Sequence, residues 1–173
     1  MNDVIELELI TSGEAEGLRK LQVEAFIALY EKYRDDITSP AKESLEKITQ
    51  KIIEDNSDFY FILFNGKRVG GVRVKWYNGR NVKWISPIFV IPQFQNKGIA
   101  SAVIERLFEV YSSDTIEWRL DTIKQEEKNC YLYEKCGFVR SHKIPNFFTD
   151  NYDHPIYEGG VQLIDMVYLQ RHI

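Results

Sequence analysis

Two cysteines, five prolines and no apolar run long enough for a bilayer mark what these 173 residues leave out. A hydrocarbon core takes about 20 apolar residues in a row, so no membrane span or membrane partner is expected. Cys130 and Cys136 form neither a Cys-x-x-Cys pair nor a disulfide framework, and they read as small core hydrophobes rather than nucleophiles. That usage fits a reducing cytoplasm. The opening residues alternate acidic and apolar without a basic or apolar leader, so no signal peptide is expected. Positive charge is short as well. Lys and Arg number 22 against 26 Asp and Glu, net −4, which argues against a general nucleic-acid binder. The Walker Gly-x-x-x-x-Gly-Lys-Ser/Thr, the dinucleotide Gly-x-Gly-x-x-Gly and the hydrolase Gly-x-Ser-x-Gly do not occur. His142, His154 and His172 lack metal-ligand spacing, so no metal is expected.

What is present can build a core. The chain is 44% hydrophobic and 13% aromatic, and its length suits one domain spanning residues 1–173. Charge is unevenly placed. Residues 1–58 hold 7 basic and 14 acidic side chains, residues 59–112 hold 8 and 2, and residues 113–173 hold 7 and 10. A basic middle between acidic flanks suggests an anionic ligand at the centre and a cationic one beside the start; clustered solvated faces are the alternative.

Apolar periodicity sets the element order. Residues 4–10 alternate as a half-buried strand. Residues 14–30 place Leu18, Leu21, Ala25, Phe26 and Leu29 on one helical face. Ser39-Pro40 is a helix start, and the helix after it carries Leu45, Ile48 and Ile52. A meander follows in residues 59–64, 69–77 and 82–90, turned by Asn65-Gly66 and Asn78-Gly79. Gly70-Gly71 inside the second strand signals a bulge or a close backbone approach. Residues 98–111 form a helix, 115–123 a strand and 125–135 a helix capped by Gly137; strands at 138–144 and 161–169 end the chain. The aromatic stretch 145–160, with Phe147, Phe148, Tyr152 and Tyr157, lines an acceptor pocket or lids the core. The expected architecture is α/β (α+β): a mixed, mostly antiparallel sheet of about seven strands with helices on both faces.

The stretch that carries chemistry is Phe89-Val90-Ile91-Pro92-Gln93-Phe94-Gln95-Asn96-Lys97-Gly98-Ile99-Ala100-Ser101. A strand ends, a short loop follows and a helix opens near Gly98. The first N–H groups of a helix lack internal partners and carry partial positive charge, which suits phosphate. Gly98 and Ala100 leave room for a pyrophosphate, and Lys97 either adds mobile charge or is merely solvated.

At these residues the chain resembles the GNAT N-acetyltransferase superfamily. Gln95-Asn96-Lys97-Gly98-Ile99-Ala100 is similar to its pyrophosphate-loop signature, Gln/Arg-x-x-Gly-x-Gly/Ala. Leu132-Tyr133-Glu134-Lys135-Cys136-Gly137-Phe138 resembles its Leu-Tyr-Glu-Lys-x-Gly-Phe. The resemblance implies acetyl-CoA as donor, held by backbone N–H groups from Asn96 to Ser101, with Gln95 in the same loop. It implies that Ile88, Phe89 and Val90 pair with pantetheine as a strand would. Pro87, lacking an N–H, belongs at a bulge or at a strand start; a bulge would splay this strand from residues 115–123 and open a slot.

Tyr133 matches the family's general acid beside the coenzyme sulfur; a packed aromatic is the alternative. Asp121 stands where some members carry a base, or is a salt-bridged carboxylate. Where the family often has an asparagine contacting the coenzyme stands Glu126. Asn129 takes that role or is a helix-surface residue. The implied reaction moves an acetyl group to a primary amine by direct attack in a ternary complex. A small cationic amine is the expected acceptor, with Glu24, Glu31, Asp35 and Asp36 as candidate attractors. A non-catalytic CoA-binding module, and acetylation of a protein N-terminus or lysine, are the alternatives. A monomer and a homodimer both fit.

Overall fold

The computed structural model describes residues 2–77, 79, 81–143 and 162–169. Seven strands form one sheet: β1 (Ile5–Leu9), β2 (Ser57–Phe64), β3 (Lys67–Tyr77), β4 (Val82–Val90), β5 (Glu117–Ile123), β6 (Val139–Arg140) and β7 (Leu163–Leu169). Their order across the sheet is β1-β2-β3-β4-β5-β7-β6, antiparallel except at β4–β5. Among the described residues four α-helices cover it: α1 (Ala15–Tyr33), α2 (Leu45–Ile53), α3 (Ile99–Val110) and α4 (Glu127–Lys135). The expected mixed architecture is therefore what the chain adopts.

Period-two alternation explains the two-sided core. Phe59 and Phe61 of β2 and Phe89 of β4 meet Leu18 of α1 and Ile48 of α2 on one face. On the other face Ile62, Val72, Val74 and Ile85 meet Val103, Ile104 and Leu107 of α3, and Tyr133 of α4 joins that cluster. Complete burial of side chains such as Leu18 and Ile104 contributes roughly 1.5–3 kcal/mol each.

Local chemistry moved several element ends. The Ser39-Pro40 pair opens only a three-residue turn, Pro40–Lys42, whose Pro40 carbonyl accepts from Gln22 Nε2 at 2.9 Å. The helix begins at Leu45, because Ser44 Oγ accepts the Lys47 N–H at 3.1 Å and supplies the cap. The strand expected over residues 138–144 is only Val139–Arg140, followed by the tight turn Ser141–Lys143. Gly137, at φ 100°, ends α4 as expected. Residue 78 of the second turn, the aromatic stretch 145–160, and His154 and His172 lie outside the described residues.

The sheet is split at its middle. β4 pairs with β5 only where Val82, Lys83 and Trp84 meet Glu117, Trp118 and Arg119. Beyond Trp84, β4 stays on β3 and leaves β5. Its register against β3 jumps, with Val72 opposite Ile88 and Val74 opposite Ile85. Arg73 thus faces both Ser86 and Pro87, which is the bulge that Pro87 suggested. Gly70 makes the close approach possible: a Cβ there would lie 2.0 Å from the Phe89 carbonyl oxygen.

Candidate active site

The loop after β4 is folded by its own residues. Ile91 N–H donates to the Val69 carbonyl at 2.8 Å, and Pro92–Phe94 makes a single tight turn. Gln95 Nε2 then reaches back to the Val90 carbonyl at 2.8 Å, so its side chain ties the loop to the strand end. Asn96 (φ 62°) and Gly98 (φ 76°) are both left-handed, a conformation that costs an ordinary side chain roughly 1–2 kcal/mol. The first helical bond runs from the Ala102 N–H to the Gly98 carbonyl at 3.1 Å. The N–H groups of Ile99, Ala100 and Ser101 stand ahead of it, with no helical carbonyl to receive them. Asn96, Lys97 and Gly98 are exposed beside them, whereas the Ile99 side chain is 2% exposed in the core. Ile99 can therefore offer only its backbone. Left-handed residues beside the first N–H groups of a helix suit an anion, and a pyrophosphate fits that chemistry.

One edge of Ile88, Phe89 and Val90 faces β3, and the other faces the split, where β5 no longer pairs with it. An extended amide-bearing chain can pair there as a strand would. Tyr133 of α4 belongs to the same buried apolar cluster as Val90. Tyr133 is 8% exposed, packs edge-on against Phe138, and its phenol makes no hydrogen bond among the described residues. Burial raises its pKa above the ordinary tyrosine range, and the charge of Asp121 adds to the rise. Both keep the proton on the oxygen at neutral pH. The Ser101 side chain of α3 offsets part of the rise that burial imposes on the Cys136 thiol at the end of α4. Burial raises both Cys130 and Cys136, so neither thiol is primed as a nucleophile.

Asp121 is exposed on β5, directly opposite Asp165 of β7. In an antiparallel pair such residues share a face, with Cβ atoms about 4.5–5.5 Å apart. Asp165 itself is only 6% exposed. The sequence singled out Asp121 and passed over Asp165. The readable signal was an acid inside the apolar run Ile164-Asp165-Met166-Val167. Asn129 is half-buried on α4, its N–H on the Glu126 carbonyl at 3.1 Å.

Several acidic candidates have other work. Asp35 Oδ1 accepts the Ile37 and Thr38 N–H groups at 3.0 Å each, and Oδ2 binds the Thr38 hydroxyl. It shapes its own turn and is buried, so it is not an open attractor for a cation. Asp36 accepts the Tyr30 hydroxyl at 2.8 Å, and Glu24 accepts Gln93 Nε2 at 2.8 Å. Glu31 is exposed on α1.

Glu126 joins two helices. Its Oε1 accepts from Lys32 Nζ and from the Tyr33 hydroxyl, each at 2.8 Å, so the end of α1 is clasped to the start of α4. Burial alone would raise its pKa, but the hydrogen bonds from Lys32 and Tyr33 outweigh that and hold it low. A depressed carboxyl stabilises above its unfolded value of about 4.3 and loses that contribution as pH falls through the folded value. The stability gap between wild type and Glu126→Gln should therefore close as pH drops below about 4. Urea unfolding at pH 7, 4 and 3 measures it, and a gap at pH 3 as large as at pH 7 contradicts the clasp.

Among the described residues no group of His, Cys, Asp and Glu assembles that could hold a metal ion. No helix among them is long and apolar enough to cross a membrane.

The chain is similar to known proteins in sequence and in fold. Residues 16–138 match the acetyltransferase (GNAT) family. The chain is 32% identical over 107 residues to the uncharacterized N-acetyltransferase YvbK of Bacillus subtilis (strain 168), covering 60% of this chain and 68% of that one. In overall fold it is similar to the spermidine N-acetyltransferase of Vibrio cholerae in complex with CoA and spermine. That similarity has a TM-score of 0.69 and 19% identity, covering 96% and 95% of the two chains. It is likewise similar to the Salmonella typhimurium acetyl transferase that modifies the N-terminal serine of ribosomal protein L7/L12. There the TM-score is 0.74 at 14% identity, with 96% and 95% covered.

Proposed function

Starting from the fact that this chain belongs to the acetyltransferase (GNAT) family, and is by that membership an acetyl-CoA-dependent acyltransferase, we propose that it acetylates the primary amine of a small cationic molecule by direct attack in a ternary complex. The observation that carries this reading is the row of helix N–H groups at Ile99, Ala100 and Ser101, which precede the first helical bond and follow the β4 strand that has left β5. The cradle from Asn96 to Ser101 holds the diphosphate, with Lys97 adding positive charge. Gln95 acts by keeping the loop closed onto Val90. The backbone of Ile88, Phe89 and Val90 pairs with the pantetheine arm, and one of these N–H groups polarises the thioester carbonyl. When bound, the coenzyme supplies an acetyl group activated as a thioester.

The amine nitrogen forms a bond to the acetyl carbon, and the carbon–sulfur bond breaks. Tyr133 gives its proton to the departing sulfur. Asp121 takes the proton that the amine loses, directly or through water. The exposed Asp121 adds negative charge at that end of the slot, which suits a cationic acceptor. Asn129 lies on the helix that bears Tyr133 and contacts the coenzyme from there. The spermine-bound Vibrio protein gives a polyamine as the first acceptor to try.

Calorimetry with CoA, followed by thiol release from acetyl-CoA across spermidine, an aminoglycoside and a peptide with N-terminal serine, tests the reading. Binding with turnover on the polyamine or aminoglycoside is expected. Turnover on the peptide alone moves the acceptor to a protein N-terminus. Binding without turnover on any amine makes the chain a CoA-binding module.

A further inference from the structure

The bulge that splits the sheet has an internal brace. Opposite Ser86 and Pro87, two residues of β4 share one partner position on β3, and that position is Arg73. A bulge takes a carbonyl out of the ladder, and a buried carbonyl needs another donor. Arg73 Nε donates to the Ser86 carbonyl at 2.7 Å. Its Nη1 donates to Glu54 Oε2 at 3.1 Å, where Glu54 ends α2. The guanidinium is therefore fixed at both ends, one on the bulge and one on a helix terminus. Arg73 is 4% exposed, so a full charge has been taken out of water at this point. Such burial is expensive, and an apolar side chain of similar volume often serves stability as well or better. Stability alone therefore gives little reason for an arginine here.

The location supplies a reason. Pairing between β4 and β5 ends at Trp84 and Arg119, two residues before the bulge. The segment that must line the slot, Ile88 to Val90, begins one residue after it. A fixed Ser86 carbonyl sets the direction in which that segment leaves. The planar fork of arginine can hold two acceptors at a fixed angle, whereas an ammonium is a single point.

We propose that Arg73 is a positioning residue: through its hydrogen bond to the Ser86 carbonyl it holds the β4 bulge in the shape that keeps the slot open for the coenzyme arm. This rests on the CoA-binding reading above. Arg73 touches no reacting atom, so its loss should show in coenzyme binding rather than in the chemical step.

The test compares wild type with Arg73→Met and Arg73→Lys, using calorimetry for CoA, steady-state kinetics and thermal unfolding. Arg73→Met is expected to stay folded, to raise the Kd for CoA and the KM for acetyl-CoA about tenfold, and to change kcat by less than threefold. Arg73→Lys should recover part of the affinity. Wild-type Kd and KM within twofold in Arg73→Met overturn the proposal, whatever happens to Tm. If Arg73→Met does not fold, Arg73→Lys decides by the same limits; failure of both to fold makes the residue structural and also overturns it. A wild-type chain that takes up no CoA fails the parent reading instead, so the two failures are distinct.

Discussion

Tyr133→Phe should lower kcat by about 10²- to 10³-fold while leaving the Kd for CoA within twofold of wild type. General-acid catalysis contributes about 10²–10⁴ in rate, and the low end suits a leaving thiolate that is already a fair leaving group. The substitution removes one oxygen from a ring packed against Phe138 and leaves the packing in place. Loss of kcat without loss of binding or Tm therefore isolates the proton. The pH dependence gives a second reading of the same group. Burial first, and the Asp121 charge second, raise this phenol above the ordinary value of about 10. It stays protonated across the neutral range, so kcat should show no alkaline fall from Tyr133 below about pH 10. Asp121→Asn takes away a negative charge, so it should move the phenol's pKa down, besides slowing the reaction by removing the base. A tyrosine-dependent fall near pH 8 would contradict the raised pKa, though not the acid role.

Gly70→Ala should be the most damaging small substitution in the sheet, at about 3 kcal/mol of unfolding free energy. The added Cβ would meet the Phe89 carbonyl oxygen at 2.0 Å, its carbon at 3.0 Å and Val90 Cα at 3.1 Å. All three are backbone atoms, so no rotamer change relieves the clash, and the end of β4 has to move. Overpacking costs about 1–3 kcal/mol where side chains can yield, and this site stands at or beyond the upper end. Gly71→Ala is the control, since its new Cβ would meet the Phe89 ring at 2.8 Å and Leu18 Cδ1 at 3.0 Å, which can shift. Guanidinium unfolding should rank the two in that order. Because Phe89 and Val90 would line the slot, Gly70→Ala should also weaken CoA binding in whatever fraction remains folded. Equal unfolding free energies for both variants would contradict the close approach.

The amino-acid order alone specified a good deal. Period-two alternation placed Phe59 and Phe61 on one face and Ile62 on the other, and Gln95 to Ala100 marked a helix start open to an anion. Those features are local, since a turn, a cap or an alternating run is fixed by neighbours within a few positions. Other outcomes depended on partners far along the chain. Asp35 reads as a free anion until its turn is folded around it, and Ser39-Pro40 reads as the start of a full helix until Gln22 is seen on the Pro40 carbonyl. Glu126 looked like a departure from a coenzyme contact; only folding brings it to Lys32 and Tyr33, more than 90 positions away. Asp165 meets Asp121 through a strand pairing, and Arg73 meets Ser86 through a register jump, neither of which leaves a local mark. The sequence by itself determined most of the elements, the turn that opens α3 and the tyrosine helix, because each is written in short-range spacing. The tertiary structure decided which carboxylates are committed, where β4 leaves β5 and what braces that point, because pairing and burial between distant segments have no period to read.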